Sequence, residues 1–350
     1  MQQDTQRKKR VTITDVARYA GVSTAAVSKV MRNAYGVSDA MREKVRAAID
    51  ELDYRPQAAA RGMRGRTYTI GVLLDNIRNT FFADILDGIR DELVDSEYTV
   101  IIGAAGFDAQ AQGKTIRAMV DRQTDGLVLI APGTQRSEVL AMAETTPTVV
   151  IGHHDVSDLH DSVVDADGIG AGLVVDHLVA LGHRNIALVS APGTRSSKWA
   201  RTPEIVLTNG YTEAMGRHGL GAYTQVCRSA YSDEGGYKAG MSLLGRADRP
   251  TAIMAGADVA ALGVWRAAHE LGLRVPEDVS LAGYNNTAIA DLATVQLSSI
   301  DQAGHSMGST AARLLIERVE GRRSHAVQTT MTPRLVARHS TGAPPTTSAG

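Results

Sequence analysis

A chain of 350 residues is long enough for one small domain and one or two larger ones. Its net charge of −1 divides unevenly: residues 1–66 hold 14 Lys or Arg against 7 Asp or Glu, whereas the remainder holds 23 against 31, so only the head is suited to a polyanion. The single cysteine, Cys227, excludes an internal disulfide, the charged Arg7–Arg10 cluster is followed by no apolar stretch and so is no secretion signal, and no apolar run approaches the roughly 18–20 residues that span a membrane; a soluble cytoplasmic protein is expected.

After the basic segment 1–10, Thr12 with Asp15 forms a capping pair that starts a helix, with Val16, Ala17 and Ala20 on one face. Gly21 supplies a sharp turn, and Ser23 caps a second helix that buries Val27, Val30 and Met31. A third helix is expected from after Ser38 to about Asp53, with Val45, Ile49 and Leu52 inward. Two short helices around a glycine turn make a helix-turn-helix over residues 11–54. In such a domain the N-terminal residues of the second helix read base edges in the major groove of duplex DNA. Here those are Thr24, Ala25, Ser28 and Lys29; Arg32, Arg18 and Arg7–Arg10 suit phosphates. Thr12, Thr14, Ser23 and Arg61 complete the side chains expected to contact DNA, with Met63 considered below.

Residues 55–67 read as a hinge. Pro56 suits a first helical turn, but Gln57–Arg64 is too short to be stable alone, and Gly62 and Gly65 weaken it. Beyond it, residues 68–340 alternate apolar runs with helical patterns. The predicted strands are 69–74, 99–103, 126–131, 148–152, 185–190, 252–255 and 279–283, and Cys227 lies in a further strand-like stretch. The predicted helices are 82–93, 111–121, 173–181, 212–217, 233–244, 260–271 and 303–319. This alternation predicts an α/β body of two doubly wound parallel-sheet lobes with a cleft between them. The Pro/Thr/Ser-rich tail 341–350 reads as disordered.

The head resembles that of the lactose repressor/galactose repressor family of bacterial transcription regulators. The residues that carry the likeness are Val11-Thr-Ile-Thr-Asp-Val-Ala, Ala20-Gly-Val-Ser, Val27-Ser-Lys-Val, Val37-Ser, Arg42-Glu-Lys-Val and Tyr54-Arg-Pro-Gln-Ala-Ala-Ala-Arg61. Ile70-Gly-Val-Leu-Leu, Asn79-Thr-Phe-Phe, Asp125-Gly-Leu-Val-Leu, Leu181-Gly-His-Arg-Asn-Ile-Ala and Pro276-Glu-Asp-Val-Ser-Leu-Ala-Gly-Tyr extend it to the body, which resembles periplasmic sugar-binding proteins. The resemblance implies a homodimeric repressor of a near-palindromic operator, modulated by a carbohydrate-related effector between the lobes. It implies chain crossings between the lobes, placed near 165, 285 and 325. It also gives Met63 the place of an apolar wedge in the minor groove. In the cleft it implies Phe82 as a stacking face with Phe81 beside it, Tyr231 as a second aromatic, Asp258 as acceptor for two ligand hydroxyls, and Asn285.

Several positions depart from the family pattern. Lys29 stands where Arg is usual and Arg32 where Asn is usual. Leu207 replaces an Arg, Ala257-Asp258 an Asn-Asp pair, Gly283-Tyr-Asn-Asn286 a Gly-Tyr-Asp-Asp, Asn76 an Asp and Thr80 a Pro, while Pro192–Pro203 is longer than usual. A free sugar, a phosphorylated or otherwise atypical effector, and no effector at all therefore stay open. No nucleophile elbow or phosphate loop occurs, and Gly168-Ile-Gly-Ala-Gly lacks the spacing of a dinucleotide fingerprint. His153-His154-Asp155 with His160-Asp161 could supply metal ligands, but neighbours on an extended chain point to opposite faces. Neither an enzyme, a cofactor nor a metal is expected.

Overall fold

The computed structural model describes residues 11–31, 34–54, 66–193 and 198–345. They fall into two compact units, residues 1–67 and 68–350.

The head contains α1 (Ile13–Ala20), α2 (Thr24–Met31) and α3 (Asp39–Glu51). Its start is the expected capping box: Thr12 N donates to Asp15 Oδ2 at 3.0 Å, and Asp15 N to Thr12 Oγ1 at 3.4 Å. At Gly21 φ is +66°, a left-handed conformation that glycine adopts without a Cβ clash, and α1 stops there. Ser23 Oγ accepts from Ala26 N at 3.1 Å and starts α2. Val16, Ala17, Val27, Val30, Val45, Ala48 and Tyr54 form the core, with Ile49, Leu52 and Met31 partly buried around it. The expected hinge helix lies largely outside the described residues, as does the basic segment 1–10.

The body begins with β1 (Thr69–Leu74), α4 (Phe81–Leu93), β2 (Thr99–Ala104), α5 (Ala109–Asp121), β3 (Gly126–Ile130), α6 (Arg136–Ala143), β4 (Thr148–Ile151) and β5 (Asp161–Asp165). It continues with α7 (Asp167–Ala180), β6 (Ile186–Ser190), α8 (Pro203–Arg217), β7 (Gln225–Arg228), α9 (Asp233–Leu244), β8 (Ala252–Ala255), α10 (Asp258–Glu270), β9 (Ser280–Tyr284) and β10 (Ser298–Asp301). Last come α11 (Gly304–Val319), β11 (Gln328–Met331) and β12 (Arg334–Val336). One sheet has the order β11-β5-β4-β3-β1-β2, the other β12-β10-β9-β8-β6-β7. Neighbours are parallel throughout except β10 and β12. β1–β5 with β11 make the first sheet and β6–β10 with β12 the second, so each sheet is the centre of one lobe. Helix α11 returns to the first lobe, where Met307, Ala311 and Leu315 join Ile85 and Ile89 in the core.

The crossings therefore lie at residue 166, between β10 and α11, and between β11 and β12. The second is not near 285, because β9 and β10 are neighbours in one sheet, and the third falls at 332–333 rather than 325. Strands β5, β10, β11 and β12 are absent from the sequence-based expectation, as are α6 and the first turns of α8. β5 is the instructive case. It begins and ends on Asp yet is wholly buried, because Arg323 grips Asp161 bidentately, Nη1–Oδ1 and Nη2–Oδ2 both 2.8 Å. The expected disordered tail is corrected over residues 341–345, while 346–350 lie outside the described residues. Thr341 bonds to Ser298 Oγ (2.8 Å) and His177 Nε2 (2.9 Å), and Gly342 O lies 2.9 Å from His183 Nε2, so this stretch is packed on the second lobe. Buried His183 and Ser280 bond to each other and both also reach the Gly342 carbonyl, which anchors this stretch.

Helices α4 and α11 approach closely at two glycines. A Cβ on Gly308 would overlap the carbonyl oxygen of Ile85, and one on Gly88 that of His305. Gly308→Val is thus expected to destabilise the body by about 1–3 kcal/mol or more, as overpacking does. A lowered urea midpoint would show it; an unchanged midpoint would mean the helices can separate freely.

Candidate functional site

On the head, Ser23, Thr24, Ala25 and Lys29 are exposed along α2, and Thr12 and Thr14 at the start of α1. Ser28 is not among them. It is 5% exposed, on the inward side of α2 beside Val27, so it leaves the set of residues expected to read bases. Arg18 pairs with Asp15 at 3.1 Å in an exposed contact of small energetic weight. Arg32, Arg61 and Met63 lie outside the described residues.

In the body, parallel sheets bring the C-terminal ends of their strands to the facing edges of the two lobes, where open α/β sheets bind ligands. A cavity of about 550 Å³ lies there. Phe81, Phe82, Tyr231 and Asn285 are among the residues that line it. The two phenylalanine rings are 6.4 Å apart and tilted by 47°.

Asp258 does not line the cavity. Its Oδ1 accepts from Ser299 Oγ at 2.6 Å, and its Oδ2 from Thr287 N at 2.7 Å and Thr287 Oγ1 at 2.9 Å. Both oxygens are therefore spent, one on Ser299 of β10 and the other on Thr287 in the loop after β9, and its expected role as ligand acceptor is withdrawn. Burial nonetheless pushes its carboxyl up to about 6, opposed by those same hydrogen bonds.

The polar wall of the cavity is built at the first crossing. Asp165 ends β5, Asp167 opens α7, and Tyr284 ends β9. Tyr284 Oη donates toward Asp165 Oδ2 (3.1 Å) and the carbonyl of Asp167 (3.3 Å). Gly170 gives it room: a Cβ there would overlap the Tyr284 hydroxyl. Burial lifts the Asp167 carboxyl to about 8 and Asp165 well above the usual carboxylate range, aided by its neighbour Asp167. Two buried acids this close cannot both ionise without a compensating charge. His154 Nε2 stands 2.7 Å from Asp167 Oδ2, and burial pushes its own pKa down.

Ligand atoms of His154, Asp165 and Asp167 all lie within 4.8 Å of one another. This is a different grouping from the metal-ligand run weighed in the sequence. There, His153 Nε2 contacts the Pro132 carbonyl at 2.9 Å, and Asp155 accepts from Ala200 N and Arg201 N at 3.1 and 2.9 Å.

Residues 12–57 match the family described as "Bacterial regulatory proteins, lacI family", and residues 175–341 match a "Periplasmic binding protein-like domain". The chain is 33% identical over 335 residues to the HTH-type transcriptional repressor PurR of Escherichia coli, covering 94% of this chain and 96% of that one. The PurR of Klebsiella pneumoniae matches to the same extent. Among solved structures, the lac repressor dimer bound to operator and the anti-inducer ONPF superposes with a TM-score of 0.78 at 28% identity, covering 96% of this chain and 100% of that one. The chain belongs to the lacI family.

Within the lacI-family pattern stated above, the departures now have places. Leu207, where Arg is usual, is buried at 2% exposure and lines the cavity with Ala257, so the wall there is apolar. Asn76 is not the acid facing the ligand; its Oδ1 accepts from Arg78 N and Asn79 N, and the cavity is lined instead by Asp75. Asp165, Asp167 and Glu204 escaped the sequence reading. The signal was there, since Val163-Val-Asp165 sets an acid at the end of an apolar strand beside a predicted crossing. The long segment before α8 inserts Trp199 into the first lobe, against Leu129, Val139 and Val150. Trp199 Nε1 donates to the Thr134 carbonyl at 3.0 Å, and the His153 ring stacks on it at 4.3 Å.

Asp258→Ala is expected to lower the stability of the body by about 2–4 kcal/mol, because Thr287 and Ser299 would lose their acceptor in a buried site. Chemical denaturation measures this. A variant as stable as the parent would return Asp258 to the list of groups free to meet a ligand.

Proposed function

We propose that this lacI-family protein is a sequence-specific repressor that binds a near-palindromic duplex operator as a homodimer. A small molecule of carbohydrate-related chemistry, held between the lobes, modulates its operator affinity. The observation that carries the reading is the exposed Thr24-Ala25 and Lys29 face on the second helix of a helix-turn-helix in a basic head. The relatives support it: the E. coli match is a transcriptional repressor, and the solved neighbours include a lac repressor dimer on operator, a CelR–cellobiose complex and an Enterococcus faecium regulator with bound ribose. The cleft with Phe82 and Tyr231 offers the aromatic faces and polar groups that a ring with hydroxyls requires.

Dimerisation is supported by β2, an edge strand whose Ile101 and Ile102 are 41% and 49% exposed. No helix among the described residues is long and apolar enough to cross a membrane, and the reading places the protein in the cytoplasm with DNA. Relatives named as regulators accord with binding rather than catalysis as its task.

The experiment is operator selection from genomic footprints, followed by fluorescence anisotropy with the full chain across a salt series. Lys29→Ala is expected to weaken specific binding by about tenfold, within the ~1–3 kcal/mol of a good base contact. Unaltered affinity would remove Lys29 from base reading, and salt-insensitive or absent binding of any operator would sink the repressor reading. Phe82→Ala should bind operator normally and fail to respond to the effector; a full response would take Phe82 out of the ligand site.

A further inference from the structure

We infer that the cleft ligand is a small organic cation, a hydroxylated ring bearing a protonated amine, and that Asp165 and Asp167 receive its ammonium group. This rests on the reading of the cleft as an effector site and names the chemistry of that effector.

The first observation is the charge inventory. Asp75, Asp165, Asp167 and Glu204 all line the cavity, and no Lys, Arg or His is among its described lining residues. Arg228, at the end of β7, is turned to other work: its Nη1 donates to Ser190 Oγ, the Ala191 carbonyl and Thr208 Oγ1 at 3.1–3.2 Å. A phosphate or carboxylate entering this cavity would meet these acids and no cation among the described lining residues, at a cost hydroxyl contacts do not offset. An ammonium would allow the buried pair to ionise, since an opposite charge within about 4–6 Å favours the charged carboxylate.

The second observation is independent of the acids. Asn285, 8% exposed, lines the same cavity with φ +114°, a conformation that disfavours side chains. Its Nδ2 donates to Gln302 Oε1 at 2.5 Å, while its Oδ1 is buried with no hydrogen-bond partner. A buried acceptor left unmade is costly and asks for a donor from the ligand. The wall thus presents acceptors, and the hydroxyl of Tyr284 is already committed to Asp165. Donor-rich chemistry, an amine with hydroxyls, satisfies such a wall; the faces of Phe82 and Tyr231 suit the ring and can further favour a cation.

The test is thermal shift followed by calorimetry on the full chain with matched sets. Amino sugars, aminocyclitols and aminonucleosides are each compared with the hydroxyl counterpart and the phosphate ester, with manganese and zinc chlorides as a separate arm. The expected result is binding by an amine, at least tenfold weaker binding of its hydroxyl counterpart, and none of its phosphate ester. Asp167→Asn should weaken the amine about ten- to a hundredfold, as loss of a charged hydrogen bond does. If that variant fails to fold, Glu204→Gln, at the partly exposed start of α8, should weaken the amine several-fold and its hydroxyl counterpart not at all. Preference for a phosphate ester, equal binding of amine and hydroxyl, or no amine binding overturns the inference. So does stabilisation by a divalent metal alone that is lost in His154→Ala, which would assign the acids to an ion. Operator binding, measured separately without ligand, reports on the repressor reading, so the two can fail independently.

Discussion

The contact on which the body is organised is the hydroxyl of Tyr284 against the acids of the first crossing. Asp165 closes β5 in the first lobe, Tyr284 closes β9 in the second, and Asp167 begins the first helix of the second lobe. One buried phenol thus touches the chain immediately before and after it passes between lobes. Burial and both acids push its pKa well above the usual range, so it keeps its proton and can donate it. The arrangement needs a glycine at 170, since any side chain there would meet the hydroxyl, and that requirement accounts for part of the Gly168-Ile-Gly-Ala-Gly run.

The first crossing is not the only tie between the lobes. The segment between β6 and α8 belongs to the second lobe by sequence, yet Trp199 is 5% exposed within a cluster of first-lobe side chains. Around it, His154 N donates to the Arg201 carbonyl at 2.9 Å, and Asp155 accepts the amides of residues 200 and 201. Burying an indole and satisfying its N–H is a contribution of several kcal/mol by the usual reckoning for aromatic core residues. The lobes of this chain are therefore strapped by this segment as well as hinged by the crossing strands. His153, stacked on the indole, is driven down to about 4 by burial and so is neutral near neutral pH.

The parts of this molecule legible in the sequence are those that follow from local periodicity. The capping pair at Thr12, the glycine turn and the apolar stripes of α1 and α2 are local, and the strands at 69–74 and 252–255 were read residue for residue. What escaped depends on partners far along the chain. β5 is buried because Arg323, 162 residues on, neutralises Asp161. Residues 341–345 pack on the second lobe because His183 and Ser280, far along the chain, both bond to the Gly342 carbonyl. Asp258 was assigned to the ligand because its neighbours in sequence resemble a ligand-binding pair, but Thr287 and Ser299 fold back onto both its oxygens. Position along α2 points Ser28 to DNA, while its place relative to the core is a property of the packed helices.

These positions bear on how a ligand could act. A ligand shifts an equilibrium between conformations only by its difference in affinity for them. A group on one rigid lobe contributes nothing to that difference unless its partner lies on the other. Phe82 belongs to the first lobe and Tyr231 to the second, so a ring between them reads the separation of the lobes. Asp165 and Asp167 flank the residue at which the chain turns from one lobe to the other, so a charge placed there reads the angle of the turn. Each tenfold difference in affinity is ~1.4 kcal/mol of bias toward one arrangement. A buried acid pair responds more steeply to distance than an exposed one, because low dielectric strengthens the interaction. Small movements at the crossing therefore carry a larger energetic consequence than equal movements at the apolar walls, and Leu207 and Ala257, which replaced polar groups there, leave the crossing as the place where ligand charge meets lobe geometry.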